Sequence, residues 1–368
     1  MAKKKHKQTV LNESSNDFLK RYLDNPSPTG FESKGQQLWL DYIRPYIDDH
    51  FVDPYGSVAG IVNPGADFKV VIEAHADEIS WFVKYISPEG LIYVCKNGGS
   101  DQQIAPSKRV NIHTKKGVVK AVFGWPAIHT RHRQPDGKEP QPKMENIFLD
   151  CGARSRKEVE ALGIHVGCVV TYDEGFEELS YRTIISRALD NRIGGFMIAE
   201  VARLLKESGR QLPYSLYIVN AVQEEVGLRG AEMMARRIKP DLAIITDVTH
   251  DSTTPMISKI LEGEVSCGKG PVLTYGPAVH NLLLEAVRKI ADKNGIPYQL
   301  EAVSRSTGTD TDAFAYANDG TPSVLVSLPL RYMHTSVEMV HREDIEQTIL
   351  LMYHALLNIG PKTKVKYL

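Results

Sequence analysis

Apolar residues recur every three or four positions in Phe31 to Ile47, in Ile193 to Leu205 and in Val279 to Ala291, which predicts three amphipathic helices. Short runs rich in valine and isoleucine read instead as buried strands: KVVIEAH at 69–75, SLYIVNAV at 215–222, DLAIITDV at 241–248 and SVLVSL at 323–328. Strands and helices alternate through the second half of the chain. That alternation predicts an α/β fold, a three-layer domain around a mostly parallel central sheet, in which functional residues gather outside the carboxyl ends of the strands.

The segment from about 80 to 180 follows another pattern. Its short β-type runs, GLIYVC, RVNIHT, GVVKAVFG and CVVTYD, are separated by Gly, Pro, Asn and Asp, with one brief helical stretch near SRKEVEAL. An all-β insert is expected there. The domains then divide as 1–78 with 181–368 for a discontinuous main domain and 79–180 for the insert. The most polar connection, TRHRQPDGKEPQPK at 130–143, reads as a mobile surface loop. No repeat period stands out, which disfavours solenoids and propellers.

Composition narrows the class without naming a function. The 368 residues are 42% hydrophobic and 24% charged, with net charge −1, so no basic excess points to nucleic acid. The basic start MAKKKHK runs into polar LNESSND without the apolar centre of a secretory signal, and reads as a disordered tail. No run reaches the roughly 18 apolar residues of a membrane span. Cys95, Cys151, Cys168 and Cys267 are widely spaced and form no CxxC pair, so reduced thiols and a soluble cytoplasmic protein are expected.

Candidate chemistry sits where the predicted strands end. His75 ends one strand and Asp77 follows two positions later, on the same face if the backbone stays extended. A carboxylate accepting from the second imidazole nitrogen would fix the tautomer of a metal-bound His75, although the same spacing also suits a structural His-Asp pair. Asp190, at the start of a long helix, reads either as an N-cap or as a carboxylate bridging two cations. Glu224 and Glu225 follow a strongly apolar strand; one could bind a metal while the other takes a proton from water, or both could be solvated strand-end charges. Asp247 ends the next strand, and His334 follows the last one. Singly each could be a loop residue; together they predict a metal site on one sheet edge. His250, His129 and His132 fall in polar loops and read as surface histidines. GKGP at 268–271 and STGTDTDAFAYA at 306–317 lack Walker spacing and read as backbone shaping near a substrate.

HADE at 75–78, ALDNR at 188–192, QEEVGLRGA at 223–231, ITD at 245–247, GTDTDA at 308–313 and RYMHTSVE at 331–338 occur in order over nearly the whole chain. In these motifs it resembles the glutamyl and deblocking aminopeptidases, which include the tetrahedral aminopeptidases and some members with an old endoglucanase label. The resemblance implies two divalent ions per subunit, zinc or cobalt. His75, Asp190 and Asp247 would hold one, and Asp190, Glu225 and His334 the other, with Asp77 behind His75 and Glu224 as general base. It further implies release of N-terminal residues from peptide substrates, a β-barrel insert used for homodimerisation, and dimers that can assemble into dodecamers.

Three departures from the family pattern are Ser80 where glycine is common, Thr335 where serine is usual, and the long proline-rich loop at 130–143. Metal-dependent dipeptidases and N-acyl amino acid deacylases reuse similar ligands but place their extra domain after the Glu-Glu pair, whereas here the long interval separates His75 from Asp190. An endoglucanase needs carboxyls ~5 to 9.5 Å apart across a glycosidic bond, which adjacent Glu224 and Glu225 do not readily provide. A non-catalytic scaffold would not need the complete ligand set.

Overall fold

The computed structural model describes residues 10–131 and 137–368. The chain opens with α1 (Glu13–Asp24), capped by Asn12, and α2 (Ser33–Ile43). Three strands follow, β1 (Asp49–Val52), β2 (Val58–Val62) and β3 (Lys69–His75), the last of which places His75 at its carboxyl end. Next come β4 (Ser80–Ile86), β5 (Ile92–Asn97), β6 (Arg109–Thr114), β7 (Gly117–Gly124), β8 (Phe148–Asp150), the short α3 (Arg156–Ala161) and β9 (Val169–Tyr172). Beyond them lie β10 (Glu177–Leu179), β11 (Thr183–Ser186), α4 (Leu189–Ser208), β12 (Ser215–Ala221), α5 (Arg229–Ile238) and β13 (Leu242–His250). The chain finishes with α6 (Lys259–Glu262), β14 (Val272–Tyr275), α7 (Asn281–Asn294), β15 (Gln299–Ala302), α8 (Asp310–Ala315), β16 (Ser323–Leu330), β17 (Glu338–His341) and α9 (Arg342–Asn358).

The main sheet has eight strands in the order β1-β2-β12-β3-β13-β16-β14-β15. Its centre is parallel: β12 with β3, β3 with β13, and β13 with β16. Strands buried on both faces are largely apolar, and Val70, Val71, Ile72 and Ala74 of β3 are all fully buried. Helices α4 and α9 pack together, with α4 against β3 and α9 against β16, while α5 and α8 pair over β12, β3, β13 and β16. This is the expected α/β architecture, with antiparallel pairing where β2 meets β12 and where β14 meets β16.

Between β3 and β11 the chain forms a closed six-strand barrel, β4-β5-β8-β7-β6-β9, antiparallel at every pairing. Its interior is filled by Trp81, Val83, Ile92, Val110, Ile112, Phe123, Leu149 and Val170, and the Trp81 and Phe123 rings meet edge to face at 5.4 Å. Closure leaves no strand edge to pair with another chain. A third sheet, β10-β11-β17, brings the segment after the barrel against the chain just beyond His334.

The expected helices are recovered with shifted ends. Leu189–Ser208 extends the periodic segment on both sides, and the first ends at Ile43, where a 3₁₀ turn through Pro45 follows. All four cysteines are free. Among the described residues no helix is long and apolar enough to cross a membrane. The loop expected at 130–143 and His132 lie partly or wholly outside the described residues, and His129 is exposed.

Candidate metal centre

Parallel register brings the first two acid-base groups together. Ala221 of β12 pairs with His75, and Ser327 of β16 with Asp247, so the strands β3, β12, β13 and β16 deliver their carboxyl ends to one edge. Two loops then turn back over that edge. Gln223 and Gly227, at φ +59° and +112°, fold Glu224 and Glu225 into a single 3₁₀ turn; His334, at φ +60°, is presented by the connection between β16 and β17.

Asp190 lies at the centre. Its Oδ1 is 3.2 Å from His75 Nε2, and its Oδ2 is 3.3 Å from His334 Nε2. His75 Nε2 also faces Glu224 Oε2 and Asp247 Oδ1, each at 3.8 Å, while His334 Nε2 faces Glu225 Oε1 at 3.4 Å. Three groups of possible ligand atoms lie within 4.8 Å of one another: His75 with Asp190 and Asp247, Asp190 with Glu225 and His334, and His75 with Glu224 and Glu225. Asp190 makes no N-cap bond: the side chain that caps this helix is Asn191, whose Oδ1 accepts from the Gly194 N–H at 3.1 Å.

Asp77 organises the floor. Its Oδ1 lies 3.3 Å from His75 Nδ1 and accepts from the Glu224 N–H at 3.0 Å. Its Oδ2 accepts from the Glu225 N–H at 3.3 Å and from the Thr29 hydroxyl at 2.8 Å. One carboxylate thus sets the imidazole and the Glu-Glu turn together. Glu338 does the same from the other side, accepting from the Asp190 N–H at 2.9 Å and the His334 N–H at 2.8 Å. Glu338 was not among the residues expected from the sequence, although it lies four positions after His334 in the quoted motif; an acidic residue at the start of a strand reads as a solvated charge until its burial at 1% exposure is known.

The electrostatics show an excess of buried acid. Burial pushes Glu224 up to about 10; His75 opposes this, while Asp310, Asp247 and Glu225 add to it. Asp247 and Glu225 are raised for the same first reason. Burial alone would lower both histidines, but the carboxylates around them prevail: His75 lies well above its usual range and His334 reaches about 11. Asp190 is held low against its burial by the two imidazoles. Glu225 Oε1 is buried without a hydrogen bond among the described residues. Such a group of carboxylates and imidazoles in one dry place is short of positive charge, and that deficit is what divalent cations relieve.

The cluster opens into a cleft of about 630 Å³, continued by Val248, Thr249, His250, Ser306, Thr307, Gly308 and Met333. His250 therefore faces the cleft rather than lying remote from it. The two glycine motifs part company here. The 306–309 segment lines the cleft as expected, whereas Gly268 and Gly270 donate their N–H groups to Asp344, and their turn is not part of the lining. Glu73 and Asp310, two buried carboxyls that interact with each other near His75, were also missed; Glu73 stands in an apolar run and gave no separate signal.

Comparisons with known proteins point to one family. The lysyl aminopeptidase of Pyrococcus furiosus is 31% identical over 346 residues, covering 94% of this chain and 97% of that protein. The glutamyl aminopeptidase of Lactococcus lactis is 28% identical, covering 95% and 98%. The crystal structure of a TET aminopeptidase from the marine sediment archaeon Thaumarchaeota archaeon SCGC AB-539-E09 superposes with a TM-score of 0.90 at 30% identity, covering 95% of this chain and 98% of that one. The M42 glutamyl aminopeptidase family model matches residues 56–351, and the chain belongs to that family of metallopeptidases, as an aminopeptidase.

Proposed function

We propose that this chain is a dinuclear-metal aminopeptidase that releases N-terminal residues from peptides, with His75, Asp190 and Asp247 holding one divalent ion and Asp190, Glu225 and His334 the other. The observation that carries this reading is Asp190, whose two oxygens face two different imidazoles at 3.2 and 3.3 Å. When bound, two zinc or cobalt ions would polarise the scissile carbonyl and lower the pKa of the attacking water.

The protein's own groups supply the rest. Glu224 takes a proton from the attacking water on its carboxylate and delivers it to the leaving amine nitrogen, so one residue serves as base and then acid. Nearby cationic charge brings its raised pKa back down, which restores the carboxylate form a base requires. Asp77 keeps Glu224 in place through its backbone N–H and keeps His75 in the tautomer with a free Nε2. Among the described residues no lysine or arginine lines the cleft, and its acidic wall suits a substrate with a free, positively charged amino terminus.

The domain assignment follows the same reading: 1–78 and 181–368 as the catalytic part, and 79–180 as a dimerisation insert. The structure of PhTET1-12s is described as a dodecamer and the Pyrococcus horikoshii TET1 peptidase as able to assemble into a tetrahedron or a large octahedral shell, which supports a homodimer that can assemble further; the cytoplasm is its proposed location. The test is metal analysis of the purified chain together with hydrolysis of aminoacyl amides and their N-blocked counterparts, with and without chelator. Two ions per chain, and chelator-sensitive cleavage of the free-amine substrates alone, are expected. Equal cleavage of blocked substrates would favour the deacylase reading, and metal-loaded protein inactive on every substrate would favour a scaffold.

A further inference from the structure

Among the described residues no barrel side chain belongs to the ligand groups, yet one turn of the barrel touches the centre. Residues 97–100, Asn-Gly-Gly-Ser, leave the end of β5 and pass across the cluster. Gly98 has φ +77°, and a Cβ there would lie 3.1 Å from the Glu225 Cβ. At Gly99 the approach is closer: a Cβ would sit 2.4 Å from His334 Nδ1 and 2.6 Å from Cε1. Real Cβ atoms do not come so near, so the Gly99 backbone packs directly against the edge of the His334 ring.

That contact matters because His334 lacks the usual means of orientation. A ligand imidazole is ordinarily oriented through its second ring nitrogen by a carboxylate or carbonyl, and His75 Nδ1 has Asp77 Oδ1 facing it at 3.3 Å. Among the described residues nothing hydrogen-bonds His334 Nδ1, and the side chain is 34% exposed. Steric contact with Gly99 therefore replaces the missing hydrogen bond.

The turn is itself anchored. Asn97 donates to the Thr29 carbonyl at 2.9 Å and to the Ser80 hydroxyl at 2.8 Å, and Ser100 donates to the Ser80 carbonyl at 2.7 Å. Thr29, Ser80, Asn97 and Ser100 are all buried. Thr29 is the residue whose hydroxyl binds Asp77, so the anchor of the turn and the support of His75 are one structure. Ser80, which departs from the family's usual glycine, supplies the hydroxyl that Asn97 uses.

We propose that Gly99 is a positioning residue of the metal centre: the barrel turn sets the ring plane of His334 and thereby the occupancy of the half-site shared by His334, Asp190 and Glu225. This rests on the dinuclear reading above. The test is equilibrium dialysis of Co²⁺ against the full-length, metal-stripped wild type, Gly99→Ala and Asn97→Ala. Wild type binds two equivalents. Gly99→Ala keeps one equivalent at wild-type affinity and weakens the other by roughly 10- to 100-fold, the range seen when support of a ligand is removed. Asn97→Ala adds no atom to the contact, frees the turn, and weakens the same equivalent; it decides the matter if Gly99→Ala does not fold. Two equivalents at wild-type affinity in the folded variants, or equal weakening of both equivalents, would overturn the proposal. A wild type that fails to bind two equivalents would overturn the dinuclear reading and this proposal with it.

Discussion

Arg331 Nε lies 3.1 Å from Asp251 Oδ2, joining the residue just past β13 to the residue just past β16. The same Asp251 accepts from the Thr253 and Cys267 N–H groups, each at 2.7 Å, and is fully buried on its side chain. Arg331 stands three residues before His334, so this pair fixes the root of the loop that presents that imidazole.

Asp251→Asn removes a charge-assisted bond and is expected to lower stability at pH 7 by about 1–3 kcal/mol. Burial alone would raise the Asp251 carboxyl, but the Cys267 and Thr253 donors outweigh it and hold the group below its usual value of 3.8. Its contribution is therefore present above about pH 4 and is lost as pH falls through the depressed value. Urea unfolding of wild type and variant at a series of pH values checks this: the gap between them should close in acid, and a constant gap would contradict the assignment.

Glu224→Gln keeps the size of the side chain and the backbone bond to Asp77 but cannot accept a proton. Turnover should fall at least about 100-fold while metal content stays at two ions per chain. Loss of metal in this variant would make Glu224 a ligand, a role that its place in the third ligand group near His75 and Glu225 makes concrete.

Metal removal should destabilise the fold as well as stop the reaction, because only the native chain assembles the cluster. At free metal about 100 times the dissociation constant, one site adds roughly 2.7 kcal/mol. Thermal melts with chelator and then with excess Zn²⁺ or Co²⁺ should show a reversible fall and recovery, and an unchanged midpoint would argue against a metal centre in the folded protein.

Glu78 is 2% exposed and lies 3.1 Å from Arg187 Nε and 3.8 Å from Arg192 Nη1, besides accepting from the Ser27 N–H at 2.6 Å. Glu78→Ala strands buried guanidinium charge and should cost about 3–5 kcal/mol. The exposed Arg21–Asp17 pair has a similar 3.2 Å separation, yet Asp17→Ala should change stability by less than about 1 kcal/mol. Denaturation of both variants separates burial from distance as the cause.

The strands that carry the centre were legible because each is a continuous apolar run ending in a polar group, and a parallel sheet turns such ends into neighbours. KVVIEAH is strand β3 to the residue. The barrel was legible as β structure but not as a closed ring, since β8 is only three residues long and closure depends on β9 returning to β4. Glu338 and Gly99 act through what they face across 148 and 235 residues of chain, and no local pattern encodes a partner at that distance. His250 was misplaced for the opposite reason: its neighbours are polar, as surface loops are, but the polar surface here is the wall of the cleft.

Closure of the barrel also bears on how the centre is reached during folding. His75 and Asp190 are 115 residues apart in sequence, a long loop to close for one contact. Because Trp81 pairs with Val170 and Phe82 with Val169, a folded barrel replaces that loop by two short tethers, 75–81 and 170–190. The effective loop shrinks by about two doublings, worth roughly 1 kcal/mol of chain entropy. Hydrogen-exchange pulse labelling during refolding should therefore find β4 and β9 protected before the turn at 223–227, with the insert acting as a clasp that gathers the two halves of the main domain.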